Sequence, residues 1–250
     1  MAPIRKGDGT PLEIPGVSEV RAGDGRVFFE GDAIPDIGMF QSPIYQFWPG
    51  EYEGDDGDSP FELPEVLAGL ADASAEGDPT YREDFNGFET ADLDGTDDAF
   101  EWDPDSQIPL GDDPHSIVAL FYPRDDSSGD QNIIGWGTDN ADEITEFRIR
   151  DGNINHHVWE GDVSGGSINT NEWNTAGLSY DGNTTELYLN GSFSNDRDFG
   201  SLSVVDQNHA IGFRSFRTEN YLDAGVAEII VSDVAEPAST FNDFHEDRLG

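Results

Sequence analysis

The 250-residue chain contains no cysteine, which excludes disulfides and thiolate metal sites and leaves the redox compartment unread. Lysine is nearly absent too. Lys6 stands alone, and with eleven arginines it faces 33 aspartates and 20 glutamates, a formal net charge of −41. Phosphate contacts draw on clustered Lys and Arg, so nucleic acid is not an expected partner. No run approaches the ~20 apolar residues of a membrane span, so no membrane insertion is expected. The opening MAPIRKGDGTPLEIPG lacks the apolar core of a secretory signal and any twin-arginine pair.

What is present is an acidic but aromatic chain. Its 16 Phe, 7 Tyr and 5 Trp, with regularly recurring apolar residues, argue against disorder. Carboxylates spread through nearly every loop, whereas a nucleic-acid mimic would concentrate them in one patch. In molar salt the screening length falls to about 3 Å, and the self-repulsion of such a surface largely disappears. The composition therefore reads as adaptation to a high-salt environment.

Residues 1–42 hold short strand-like runs around Asp8-Gly9 and Asp24-Gly25, with too little apolar surface for a core of their own. They are expected to dock on a partner surface, and oligomerisation is expected with them. Residues 43–250 form the expected main domain. FELPEVLAGLADASAEGDP is either one short helix or a long irregular connection. From Thr80 onward the expected strands are 85–91, 98–103, 115–122, 131–136, 144–150, 153–160, 174–180, 185–190, 209–214 and 224–232. Asn86-Gly87, Asp94-Gly95, Asp151-Gly152, Asp181-Gly182 and Asn190-Gly191 punctuate them. Short strands at this spacing predict an all-β, two-sheet antiparallel sandwich. In ITEFRIRD, Thr145, Phe147 and Ile149 are expected inward, with Glu146, Arg148 and Arg150 outward. In TELYLNG, Leu187 and Leu189 are expected inward and Tyr188 outward. FNDFHEDRLG is expected to close the chain as a short helical turn.

NEWNTAGLSYDGNTTELYLNGS resembles the central hairpin of the laminin-G-like, concanavalin-A-like jelly-roll superfamily. NGFETADLDGTDDAFEWD, PHSIVALFYPRD, NIIGWGTDN and the stretch from HAIGF to STFNDF resemble further family segments in family order. The resemblance spans about residues 79–250 and implies a jelly roll. The N-terminal RKGDGTPLEIPGVSEVRAGDGRVFFEGDAIPD is similar to the opening of structural proteins of haloarchaeal viruses. That resemblance implies assembly in the host cytoplasm, a place on the virion surface as capsid turret, decoration or tail fibre, and contacts of residues 1–42 with other virion proteins.

EWDPDS places Glu101, Asp103 and Asp105 at the spacing of a jelly-roll glucanase carboxylate row. Aspartate stands at the acid position, Pro104 interrupts the ladder, and the strand is the wrong one of the family. No catalytic residue is expected. DLDGTDD, with Asp94, Asp97 and Asp98, is dense enough to hold calcium at a loop edge, although it does not fit an EF-hand. His156 and His157 are adjacent on a strand, point to opposite faces and cannot chelate together. Trp136 and Trp173 are expected in the core. The wet strand faces offer Arg148, Arg150, His157, Trp159, Tyr188 and Arg214, a set of planar and aromatic groups able to hold a host-surface glycan or glycoprotein. The alternative is that the arginines pair locally with carboxylates and Trp159 packs under a loop or at a subunit contact. Two other roles stay open: a secreted haloarchaeal glycan-active enzyme of the same fold, and a decoration subunit with no ligand.

Overall fold

The structure, a computed structural model, describes residues 19–22, 27–30, 36–69, 71–104, 107–124, 129–159, 161–214 and 219–250. The chain divides into two compact units, 1–36 and 37–250. In the first, β1 (Glu19–Ala22) and β2 (Val27–Glu30) pair antiparallel, with Ala22 opposite Val27. The expected turns at Asp8-Gly9 and Asp24-Gly25 lie outside the described residues.

The second unit is a sandwich of two antiparallel sheets. Its strands are β3 (Pro43–Phe47), β4 (Ser74–Glu76), β5 (Thr80–Phe85), β6 (Phe88–Asp94), β7 (Ala99–Glu101), β8 (His115–Pro123), β9 (Asp130–Gly137) and β10 (Ile144–Arg150). They continue with β11 (Asn153–His157), β12 (Asp162–Ser167), β13 (Asn174–Tyr180), β14 (Thr184–Leu189), β15 (Ser192–Asp198), β16 (Ala210–Ile211) and β17 (Asp223–Ser232). A helix, α1 (Ala238–Leu249), follows. One sheet runs β12-β11-β10-β9-β16-β7-β4, the other β15-β14-β13-β8-β17-β6-β5. Strand β17 pairs along its length with β8, while its other edge is shared by β6 and β3.

Strand period explains the core. Phe147 and Ile149 of β10, Ile117, Ala119 and Phe121 of β8, and Leu178 of β13 bury between the sheets. Strand β8 is apolar on both faces because α1 covers its other side: Val118 and Leu120 pack with Tyr188, Ala227, Ile230, Phe241 and Phe244. Burying Phe241 and Phe244 contributes about 1.5–3 kcal/mol each, which offsets the ordering of a terminal segment. Gly177 makes the approach possible, since a Cβ there would stand 2.2 Å from Phe241 Cδ1. Residues 37–42 belong to this unit: Phe40 meets Phe244 edge-on at 6.1 Å, and the Gln41 amide donates to Glu236.

Several expectations need correction. Asn86-Gly87 does not lie within a strand 85–91; both residues have positive φ, and they turn β5 into β6. Asn190-Gly191 likewise leads into β15, whose seven residues are all at least partly exposed and carry no apolar alternation. Residues 61–79 hold no helix among those described; a Leu63–Ala73 bridge leads into β4. The expected strand 209–214 shortens to β16, and the C-terminal turn is a twelve-residue helix. Trp136 is buried in the core, whereas Trp173 packs outside it against Phe85, Phe88 and Tyr122.

Candidate functional site

The outer face of the seven-stranded sheet carries an ion network. Strand β10 turns Glu146, Arg148 and Arg150 to this side. A one-residue irregularity at Phe147/Arg148 skips Ile133 and sets Asn132 of β9 opposite Arg148, with Asn155 opposite it on β11. Arg148 Nε donates to Asn155 Oδ1 at 2.8 Å, and its terminal nitrogens reach Asp130 at 2.7 Å and Asp162 at 3.2 Å. Arg150 pairs with Asp162 as well. Arg214, beyond β16, forks onto Glu146: Nε donates to Oε1 at 2.7 Å and Nη2 to Oε2. Asn132 donates to Glu146 at 3.1 Å, and His157 Nδ1 lies 2.6 Å from Asp162.

The electrostatics follow from burial. Desolvation draws the Arg148 guanidinium below its ordinary range, against the opposing pull of Asp130, Asp162 and Glu146. Burial also disfavours charge on Arg214, but its hydrogen bonds to Glu146, together with the charges of Glu146, Glu219 and Asp130, more than offset that and leave it raised. Burial would raise Asp162; the His157 hydrogen bond and Arg148 hold it below the usual carboxylate range. Three arginines, Arg148, Arg150 and Arg214, meet Asp130, Asp162, Glu146 and Glu219.

Five of the six sequence-selected residues share this face, and three of them are not wet groups. Arg148 is 1% exposed, Arg214 6% and His157 8%. Alternation set their direction correctly, and neighbouring acids then covered them. Trp159 remains 36% exposed and the Arg150 side chain 42%. Trp159 has φ +67°, a region bulky residues rarely occupy, and its ring stands edge-on to His157 at 5.8 Å. Tyr188 is a correction: it lies on the other sheet, buried under α1 and stacked on Phe241 at 4.2 Å. His156 does point opposite to His157, into the core.

Beside the network lies an open depression of about 160 Å³, lined by Asn132, Gly135, Glu146, Ala210, Phe213 and Arg214 among others. Most of that volume is open to solvent, and the enclosed part, about 10 Å³, holds about one water, so the depression is a shallow notch and not a site that engulfs a ligand. Phe213 packs there with Ala99 and Ala210 and stacks on Tyr221 at 5.5 Å. Asp130, Asn132, Asp162 and Phe213 were not singled out in the sequence. Glu146 was placed on this face without a role.

The other two constellations are tied into local structure. Asp94, Asp97 and Asp98 bring carboxylate oxygens within 4.8 Å of one another. Asp98 accepts the amides of Asp78 and Asp94, and Asp94 those of Thr96 and Asp97, so their own turns account for the clustering. Burial, foremost, raises the Asp98 pKa. Strand β7 ends at Glu101, so no three-carboxylate row forms on it. Trp102 turns inward against Tyr45 and Phe47, and Asp105 lies outside the described residues.

Comparison with solved structures finds domain 4 of AbnA, a GH43 extracellular arabinanase from Geobacillus stearothermophilus, in complex with arabinotriose. The TM-score is 0.62 at 14% identity, over 82% of this chain and 98% of that one. The binding domain of Paraclostridial Mosquitocidal Protein 1 matches with TM-score 0.61 at 10% identity, over 82% of this chain and 52% of that one. The Botulinum neurotoxin serotype G binding domain matches with TM-score 0.59 at 12% identity, over 82% and 50%. No curated protein matches the sequence. The family model of the concanavalin A-like lectin/glucanases superfamily matches residues 94–239, more than half of the chain. The chain belongs to that superfamily, in agreement with its two-sheet fold.

Proposed function

We propose that this protein is a virion surface component of a halophilic archaeal virus, and that its jelly roll attaches to host surface glycan through the outer face of the seven-stranded sheet. The observation that carries the reading is the contrast between the two outer faces. Helix α1 covers the eight-stranded sheet with Phe241 and Phe244. The other sheet presents side chains locked by ion pairs, a shallow depression, and an exposed tryptophan edge-on to His157 of the network. A preorganised polar face with an aromatic edge suits planar, hydroxyl-rich ligands and limits the entropy lost on binding. The AbnA domain 4 complex with arabinotriose supports a glycan as the ligand class.

Residues 1–36 would join other virion proteins, and many copies would multiply weak single-site affinity. The charge of −41 fits a surface working in concentrated salt. The role is binding without turnover. A glycan array probed with the full chain in molar KCl tests the first half, with specific binding expected; a flat array leaves a structural decoration role. A polysaccharide turnover assay in the same salt reads the enzymatic alternative directly. Removing residues 1–36 is expected to abolish incorporation into particles while the remainder stays folded, and retained incorporation would refute the anchor.

A further inference from the structure

We infer that this chain cuts itself, once and in cis, at the Asp113–Pro114 peptide bond, with the Asp113 carboxylate as nucleophile and the His115 ring as the donor that holds the oxyanion. This goes beyond the glycan-binding reading and does not depend on it. An aspartate followed by proline is a chemically weak link. Its carboxylate can reach its own main-chain carbonyl carbon and close a five-membered ring, and the tertiary nitrogen of proline leaves as an amine. The chain has three such bonds, Asp78–Pro79, Asp103–Pro104 and Asp113–Pro114. Only the third is built into a site.

His115 Nδ1 lies 3.1 Å from the Asp113 carbonyl oxygen, the oxygen of the bond to be cut. A carbonyl only accepts, so Nδ1 carries a hydrogen whatever the charge of the ring. The ring is buried, bonded through Nε2 to Thr145 at 3.2 Å and flanked by Trp136 and Tyr180 at 5.5 and 5.4 Å. The turn is pinned as well: the Asp113 amide donates to Leu110 at 3.1 Å, and Gly111 exchanges backbone bonds with Val204. Asp113 and Pro114 themselves are exposed, and among the described residues no donor ties up the Asp113 carboxylate. A donor fixed in a dry wall against a carbonyl stabilises developing negative charge without having to reorganise. The Asp78 carbonyl meets only the Ser59 and Thr80 hydroxyls, in exposed contacts where water competes. Among the described residues no donor faces the Asp103 carbonyl.

An Asp113 carboxylate oxygen attacks the Asp113 carbonyl carbon, and the oxyanion forms on the oxygen that His115 holds. As it collapses, the C–N bond to Pro114 breaks and the proline nitrogen takes a proton from solvent. A cyclic anhydride remains on Asp113, and water opens it. The net change is one water consumed, a free α-carboxylate at Asp113 and an amine at Pro114. The two pieces stay together, because β3 and β6 of the first pair with β17 of the second, and β7 pairs with β16. Cleavage therefore nicks the sandwich without opening it.

The test incubates the full chain in molar KCl at about pH 5, where His115 is still neutral, and follows fragments by denaturing electrophoresis and intact mass. Fragments 1–113 and 114–250 are expected, formed roughly a hundredfold faster than cuts at Asp78–Pro79 or Asp103–Pro104. The same chain unfolded in urea is expected to lose that preference, because only the fold brings His115 to the carbonyl. Asp113→Ala, at an exposed position, is expected to abolish the cut and leave the melting temperature unchanged. His115→Leu is expected to slow the cut about a hundredfold. If near-ultraviolet circular dichroism shows that variant unfolded, the comparison of folded and urea-unfolded wild-type chain decides. Equal rates at the three bonds in the folded chain overturn the inference, as does a preference for Asp113–Pro114 that survives in urea.

Discussion

His115 of β8 and His156 of β11 are joined across the sandwich by the hydroxyl of Thr145, 3.2 Å from one ring and 2.9 Å from the other. The chain of bonds has one proton arrangement. His115 Nδ1 faces the Asp113 carbonyl at 3.1 Å and must donate. Its Nε2 therefore accepts from Thr145, Thr145 accepts from His156 Nε2, and His156 Nδ1 accepts from Thr185 at 2.9 Å. Burial keeps both histidines neutral, and with neutral rings this is the one arrangement those contacts allow.

Acid should loosen this clasp. Burial lowers the His115 pKa to about 4, and that of His156 well below its ordinary value. Below about pH 6.5 the unfolded chain binds protons that the folded chain refuses, so stability falls as pH drops. Between pH 6.5 and 4, His115 alone accounts for a loss of about 3 kcal/mol. Asp162, held low, adds a loss only below its ordinary value of 3.8, past this range, while Asp98 and Glu89, raised by burial, oppose the decline. Urea unfolding in molar KCl across this range should show the decline, with a shallower slope in His115→Gln. A flat profile would contradict the assigned protonation.

Gly177→Ala is expected to cost about 1–3 kcal/mol, because its methyl would meet Phe241 at 2.2 Å. The ring cannot retreat, being stacked on Tyr188. Thermal melting should report the loss, and limited proteolysis should show α1 released before the sandwich opens.

Arg148→Met leaves Asp130, Asp162 and Glu146 without their shared cation and is expected to destabilise by about 3 kcal/mol or more. Arg150→Gln removes a side chain 42% exposed and should cost under about 1 kcal/mol. Equal losses in the two variants would mean that burial does not govern the network.

Dilution of salt should unfold the protein. From 1 M to 0.01 M the screening length grows from about 3 to about 30 Å, exposing the repulsion of a −41 charge. The melting temperature is expected to rise with KCl, and sucrose at equal osmolality should not substitute.

Much of the sandwich was legible because one face of each strand must be apolar. ITEFRIR and NTAGLSY announced Ile144–Arg150 and Asn174–Tyr180 to the residue. The edge strands were not legible. DVSGGS and SFSNDRD bury little, and their pairing comes from the neighbouring strand instead of their own pattern. The site was half legible: alternation pointed Arg148 outward but was silent on Asp130 and Asp162, which arrive from β9 and β12 to cover it.

By itself the sequence determined the architecture, since periods of two and Asn-Gly turns are local chemistry that dictates strands, faces and hairpins. It determined the charged surface as well. Only the tertiary structure decided that Tyr188 lies beneath a helix while Arg148 and Arg214 are spoken for by carboxylates. Which side of a strand a residue takes depends on its neighbours in the chain. Whether that side meets water depends on segments tens of residues away, and no local pattern encodes their arrival.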